Sequence, residues 1–131
     1  MKRIFLFLIF GFVLFTFVGC TFEKSNAKYR QISMEEATEL MQTEDDYIIL
    51  DVRTFEEFNA GHIPDAICIP NEEITDKPIP QLPDKNQLIL VYCRSGNRSK
   101  QASLKLANQG YTNIVEFGGI IDWKGEIVAG E

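Results

Sequence analysis

The sequence predicts one α/β domain whose parallel sheet is flanked by helices on both faces, and two patterns predict it. Short apolar runs rich in β-branched residues, the pattern of strands buried on both sides, recur along the chain. Segments with helical spacing and helix-start signals alternate with those runs, the order that builds a parallel sheet through crossover connections. With 131 residues, 45% hydrophobic and 24% charged, the chain suits a single core.

The N-terminus stands apart from that domain. Met1-Lys2-Arg3 precedes an apolar run over residues 4–18, a leader pattern shorter than the roughly 20 residues that a bilayer span needs. The run closes on Phe17-Val18-Gly19-Cys20, which resembles the lipobox of bacterial lipoproteins, with Phe17 where that family usually has Leu. The resemblance implies a signal peptide over residues 1–19, lipid on Cys20, and anchoring to the extracytoplasmic face of a bacterial membrane. An uncleaved anchor and an ordinary secretory signal are the alternatives, and each exports the domain. Residues 20–29 then read as the lipidated cysteine and a polar tether, and residues 30–131 as the folded domain.

Loss of the leader removes Lys2 and Arg3 and no acid, leaving 11 basic against 19 acidic side chains, formally −8. Such a balance argues against a broad nucleic-acid surface. With Cys20 given to lipid, Cys68 and Cys93 remain, with 24 residues between them. That is no metal-ligand spacing, so no metal site is expected.

The first predicted element is a helix from Ser33, whose spacing to Glu36 makes a capping box ahead of Met34, Ala37, Leu40 and Met41 at helical intervals. Glu44-Asp45-Asp46 ends it. Residues 47–52 read as a buried strand, and Thr54 with Glu57 forms a second capping box, opening a short helix that Gly61 closes. Residues 66–69 make another strand, 71–74 a helical turn, and Pro78, Pro80 and Pro83 punctuate a loop. Residues 88–92 form the most strand-like run, residues 97–108 a helix stopped by Gln109-Gly110, and residues 113–117 a last strand.

Ligands of such sheets sit outside the carboxyl ends of the strands, and Cys93 lies at one such end. A thiol between a strand and a helix N-terminus faces loop N–H groups and the positive end of the helix dipole, which favours the thiolate. In Cys93-Arg94-Ser95-Gly96-Asn97-Arg98-Ser99, Gly96 permits a left-handed turn, Asn97 and Ser99 are expected to cap the helix, and Arg94 and Arg98 add charge for a small anion. The alternative is a polar turn around an inert buried cysteine.

Three ordered stretches carry a family resemblance over nearly all of residues 32–127. They are Asp51-Val52-Arg53 with Glu57-Phe58 and Gly61-His62-Ile63-Pro64; the Cys93 to Ser99 loop; and Tyr111-Thr112-Asn113-Ile114 leading to Gly118-Gly119-Ile120 and Trp123. On these the chain resembles a single-domain rhodanese, a thiosulfate sulfurtransferase-like module. The resemblance implies a five-stranded parallel sheet and a Cys93 persulfide. That persulfide would form from thiosulfate or a persulfide or polysulfide, a small anionic donor, and pass sulfane sulfur to a thiol or cyanide acceptor. The loop from Arg94 to Ser99 would bind the substrate and the persulfide through its N–H groups, in a monomer with no cofactor and no metal. A non-enzymatic sulfur-carrier or protein-interaction module at the membrane is the alternative. Phosphatases and arsenate reductases related to this fold use CxxxxxR; Cys93 to Arg98 is CxxxxR, one residue shorter and suited to one added sulfur.

Supporting roles are expected around that loop. Asp51 ends the neighbouring strand, either as support or as a proton acceptor. Arg53 and Glu57 are spaced for an ion pair at the start of the helix. His62, the only histidine, is expected to hydrogen-bond backbone rather than act as a general base. Gly118-Gly119 lets the chain pass close to the active-site helix, while Trp123 closes a core edge. Asp65 and Cys68 depart from the family's usual Gly and Asn. Cys68 is either a small buried residue or a redox partner that resolves Cys93.

Overall fold

The computed structural model describes residues 28–130. The leader, Cys20 and most of the tether lie outside the described residues. Among the described residues five strands and three α-helices follow in the order β1 (Arg30–Gln31), α1 (Met34–Thr43), β2 (Tyr47–Asp51), α2 (Phe55–Ala60), β3 (Ile67–Cys68), β4 (Leu88–Cys93), α3 (Asn97–Asn108) and β5 (Ile114–Gly119). Single 3-10 turns occupy Asn71–Glu73 and Ile120–Asp122.

All strand pairs are parallel, in the order β1-β5-β4-β2-β3. The central strand β4 is the most apolar, as a strand covered on both faces must be. The alternation of side chains across a strand divides the interior into two cores. Leu50, Val91, Cys93 and Ile114 face Ala102 and Leu106 of α3. Ile49, Leu90, Tyr92 and Val115 face Ala37 of α1 and Phe58 of α2. Helices therefore cover both faces, as the sequence predicts.

The fifth strand implied by the family resemblance is β1, whose place the residues did not reveal because Arg30 and Gln31 are both exposed and carry no apolar signal. It exists through pairing, with Arg30 beside Val115 and Gln31 beside Glu116, extended by the Ile32 N–H to the Glu116 carbonyl at 3.0 Å.

Helix starts follow the capping chemistry in two cases out of three. Ser33 Oγ accepts from the Glu36 N–H at 3.1 Å, and Thr54 and Glu57 form a reciprocal box. At α3 the expectation fails. Gly96 is the N-cap, at φ 107°, and no side chain caps this end. Asn97 is the first helical residue and Ser99 turns inward to full burial, because the tight turn out of β4 already directs the Gly96 amide at Cys93.

Asp65 holds φ 67°, the left-handed conformation that a glycine would adopt freely and that Asp tolerates better than most residues. The departure from Gly at this position therefore leaves the turn intact.

Candidate active site

Cys93 closes β4 and is 1% exposed. The next three residues turn back over it, so that the Gly96 N–H points at Cys93 Sγ from 3.0 Å. The turn is compressed from the far side by β5. A register shift between Val91 and Cys93 brings Cys93 opposite Gly119, and a Cβ on Gly119 would fall on the Arg94 carbonyl and against Ser95 Cα. Gly119 has an ordinary extended backbone, φ −132°, so the requirement is for space.

Gly119→Ala should therefore displace the Cys93 loop, costing about 1–3 kcal/mol or more through overpacking and lowering loop-dependent turnover by about a hundredfold. Thermal melting and turnover measured together check this. A variant that melts and turns over like wild type would show that the loop yields freely.

Behind the sulfur, and reached through Ser99, lies Glu116, which the sequence does not single out. Ser99 Oγ sits 3.3 Å from Cys93 Sγ and donates to Glu116 Oε1 at 2.6 Å. Glu116, on β5, is 3% exposed and also accepts from the Gly118 N–H at 2.9 Å. The available signal was a carboxylate between Val115 and Phe117 in a strand otherwise apolar, since an acid in such a place must be held by donors.

The expected ion pair between Arg53 and Glu57 does not form. Arg53 instead chelates Asp51, with Nη2 2.6 Å from Oδ2, Nε 3.0 Å from both oxygens, and the Arg53 N–H 2.9 Å from Oδ1. Its Nη2 also reaches the Gly61 carbonyl at 2.7 Å. Glu57 pairs with Arg98, at 2.7 and 3.0 Å. The reason is that Arg53 precedes the N-cap of α2, so helical four-residue spacing does not apply to it. It turns inward while Glu57, in the first turn of α2, faces the start of α3.

Arg98 hydrogen bonding, reinforced by its charge, holds the Glu57 carboxyl down at about 2 against an ordinary 4.5. A carboxyl depressed on folding stabilises above its unfolded pKa, and that contribution is lost as pH falls through the folded value. The stability gap between wild type and Glu57→Gln should thus be constant above pH about 5 and close as pH drops toward about 2. Urea titrations across that range check it, and a gap that persists at the acid end refutes the assignment to this ion pair.

Asp51 is fully buried but belongs to the other side of the sheet, the side of Ile49 and Tyr92. Arg53 lies 5.8 Å over the Tyr92 ring, and Tyr92 Oη accepts from the Ile63 N–H at 3.1 Å. Burial, then the nearby Asp51 charge, pushes the Tyr92 phenol up. The cluster braces the end of β2 and the turn after α2. Its carboxylate is taken up by Arg53 and is no proton acceptor for Cys93.

His62 stacks on Phe58 with centroids 3.7 Å apart, and its Nδ1 is 2.9 Å from the Phe58 carbonyl. Its backbone exchanges hydrogen bonds with Val128. This is the structural role the sequence favours.

Cys68 is no partner for Cys93. The two sit on strands separated by β2, about 9 Å apart laterally, and on opposite faces of the sheet. A disulfide needs Cα atoms within about 7 Å. Burial, then the Asp51 charge, raises the Cys68 thiol to about 12, so it is not a ready nucleophile either. Among the described residues no group of three His, Cys, Asp or Glu comes together for a metal.

Residues 33–126 match the family profile described as Rhodanese-like domain. The chain is 38% identical over 73 residues to the thiosulfate sulfurtransferase PspE of Escherichia coli K12, covering 56% of this chain and 70% of that protein. It is 36% identical over 94 residues to a sulfurtransferase of Allochromatium vinosum, covering 71% of this chain and 86% of that one. Among solved structures, a rhodanese-like domain protein of Staphylococcus aureus superposes with a TM-score of 0.67 at 29% identity, over 78% of this chain and 99% of that one.

Proposed function

Since this chain belongs to the rhodanese-like domain family, we propose that it is a sulfurtransferase that carries sulfane sulfur as a persulfide on Cys93. The observation that carries the reading is the buried sulfur with the Gly96 N–H aimed at it from 3.0 Å, in a loop held between α3 and β5.

In the first half-reaction the Cys93 thiolate attacks the outer sulfur of a donor such as thiosulfate, a persulfide or a polysulfide. A bond forms between Cys93 Sγ and that sulfur, and the donor's S–S bond breaks with its electron pair leaving on the remaining fragment, sulfite in the case of thiosulfate. In the second, a thiol or cyanide takes the outer sulfur and Cys93 regains its electron pair. Loop amides supply fixed donors for the terminal negative sulfur. The four residues between Cys93 and Arg98 leave room for one sulfur rather than a tetrahedral phosphate.

The two loop arginines divide the work. Arg98 is committed to Glu57, which ties the start of α3 to α2. Arg94 is exposed and in no ion pair among the described residues, so it is the loop cation open to an arriving anion. Asp51 and Arg53 support the sheet end from the opposite face.

The leader over residues 1–19 and the lipidated Cys20 complete the reading. They would hold this chemistry at the extracytoplasmic face of a membrane.

The test is intact-mass measurement after incubation with thiosulfate. Gain of one sulfur, located at Cys93 by peptide mapping and removed by cyanide as thiocyanate, supports the proposal. A chain that gains no sulfur from thiosulfate, a glutathione persulfide or a polysulfide overturns it.

A further inference from the structure

Cys93, Ser99 and Glu116 form a continuous hydrogen-bonded chain, buried at 1%, 0% and 3% exposure. The Ser99 hydroxyl has one proton to give. Its shortest bond, 2.6 Å to Glu116 Oε1, lies in the range of a hydroxyl donating to a carboxylate. The contacts to the Gly96 and Gly118 carbonyls are longer, at 2.9 and 3.4 Å. With that proton committed to Glu116, Ser99 meets the sulfur as an acceptor, and the Cys93 thiol donates to it across 3.3 Å.

A thiolate and an ionised carboxylate one hydroxyl apart in a dry site oppose each other, because burial and like charge both disfavour the second anion. A single shared proton relieves that conflict. We infer that Cys93 and Glu116 share one proton through Ser99, which makes Glu116 the positioning residue that readies the sulfur.

The transfer balances without any further reactant. The proton on Cys93 Sγ passes to Ser99 Oγ as the Ser99 proton passes to Glu116 Oε1, so that the negative charge moves from the carboxylate to the sulfur. The inference rests on the sulfur-transfer reading for its use: the thiolate so formed attacks the donor, and when the acceptor later removes the outer sulfur the returning thiolate recovers its proton by the same path. The Gly118 N–H stays on Oε1 throughout.

Other charges around the pair are already balanced or solvated. On the α3 side Arg98 is paired with Glu57 and stands within reach of the charge of Cys93, and Glu72 acts on Arg98 from the 3-10 turn Asn71–Glu73. Arg94 is exposed. Glu116 also borders an open groove of about 650 Å³, where Glu35 of α1, Lys100 of α3, and Asp122 and Lys124 beyond β5 face solvent.

The rate of Cys93 alkylation by iodoacetamide, followed by peptide mass spectrometry on the full chain from pH about 4 to 10, tests the inference. Proton sharing gives the wild type a plateau of reactivity between two macroscopic titrations that belong to the pair. Glu116→Gln, which keeps the shape and an acceptor for Ser99, should lose the plateau and fall about tenfold per pH unit below a single titration. Ser99→Ala breaks the chain at its middle link and should do the same, and it decides the matter alone if Glu116→Gln does not fold. A wild type with one titration and no plateau, or variants that keep the wild-type profile, overturns the inference. A single titration in a chain that takes up sulfur removes the proton sharing and leaves the sulfur-transfer reading. A plateau in a chain that takes up none does the reverse.

Discussion

Cys93→Ser is expected to keep the fold and to lose sulfur uptake entirely, with donor-dependent turnover reduced by at least about three orders of magnitude. A hydroxyl is hardly ionised near neutral pH and cannot form the S–S bond on which the proposed cycle depends. The substitution is nearly isosteric, and serine oxygen can still accept from the Gly96 N–H that points at Sγ from 3.0 Å, so melting should change little. Intact mass after exposure to thiosulfate, set beside the melting temperature, separates chemistry from folding. Retained uptake at another position would sink the assignment, and Cys68 is the other thiol among the described residues. Its thiol, raised to about 12, is protonated at neutral pH, which is the physical ground for expecting no uptake there.

Asp51→Ala should produce the largest loss of stability, about 3–5 kcal/mol, because it leaves Arg53 as an uncompensated buried charge. Asp51 is fully buried and Arg53 is 6% exposed, and the carboxylate meets both Nε and Nη2 of the guanidinium. What remains to Arg53 is one carbonyl, that of Gly61. Melting should fall by more than about 10 °C in a domain of this size. Asp51→Ala combined with Arg53→Met should recover much of that loss, since a buried pair can often be replaced by apolar groups at little cost while half a pair cannot. Equal destabilisation in the single and double variants would show that the loss comes from the cavity and the strand end, not from the orphaned charge. Any folded Asp51 variant should still take up sulfur, because this cluster lies across the sheet from Cys93.

Much of this architecture was legible in the chain. Residues 47–52 and 88–92 announced themselves as strands because a strand covered on both faces reads as a nearly continuous apolar run. The loop from Cys93 to Ser99 was legible because its cysteine, glycine and arginines stand between a strand and a helix, where the sheet places ligands. The edge strand was illegible for the converse reason: Arg30 and Gln31 have no apolar face to show and acquire their conformation from β5.

The site shows the same division at finer scale. The residues of the cysteine loop are consecutive, and the turn they make depends on local backbone rules, above all the positive φ of Gly96. Partnerships between distant residues depend on where the elements pack. Thus Glu57 belongs to Arg98 and Arg53 to Asp51, and Cys68 lies beyond reach of Cys93 because alternation along the strands sends the two sulfurs to opposite faces.

The sequence by itself determined the α/β class and the turn that carries Cys93, since those follow from periodicity and short-range backbone chemistry, while the proposed role of Cys93 as nucleophile came from the family resemblance. Only the tertiary structure brought Glu116 of β5 against Ser99 of α3. That contact joins residues seventeen positions apart through the parallel pairing of β4 with β5, and no local pattern encodes which buried acid will meet which hydroxyl once the sheet has closed.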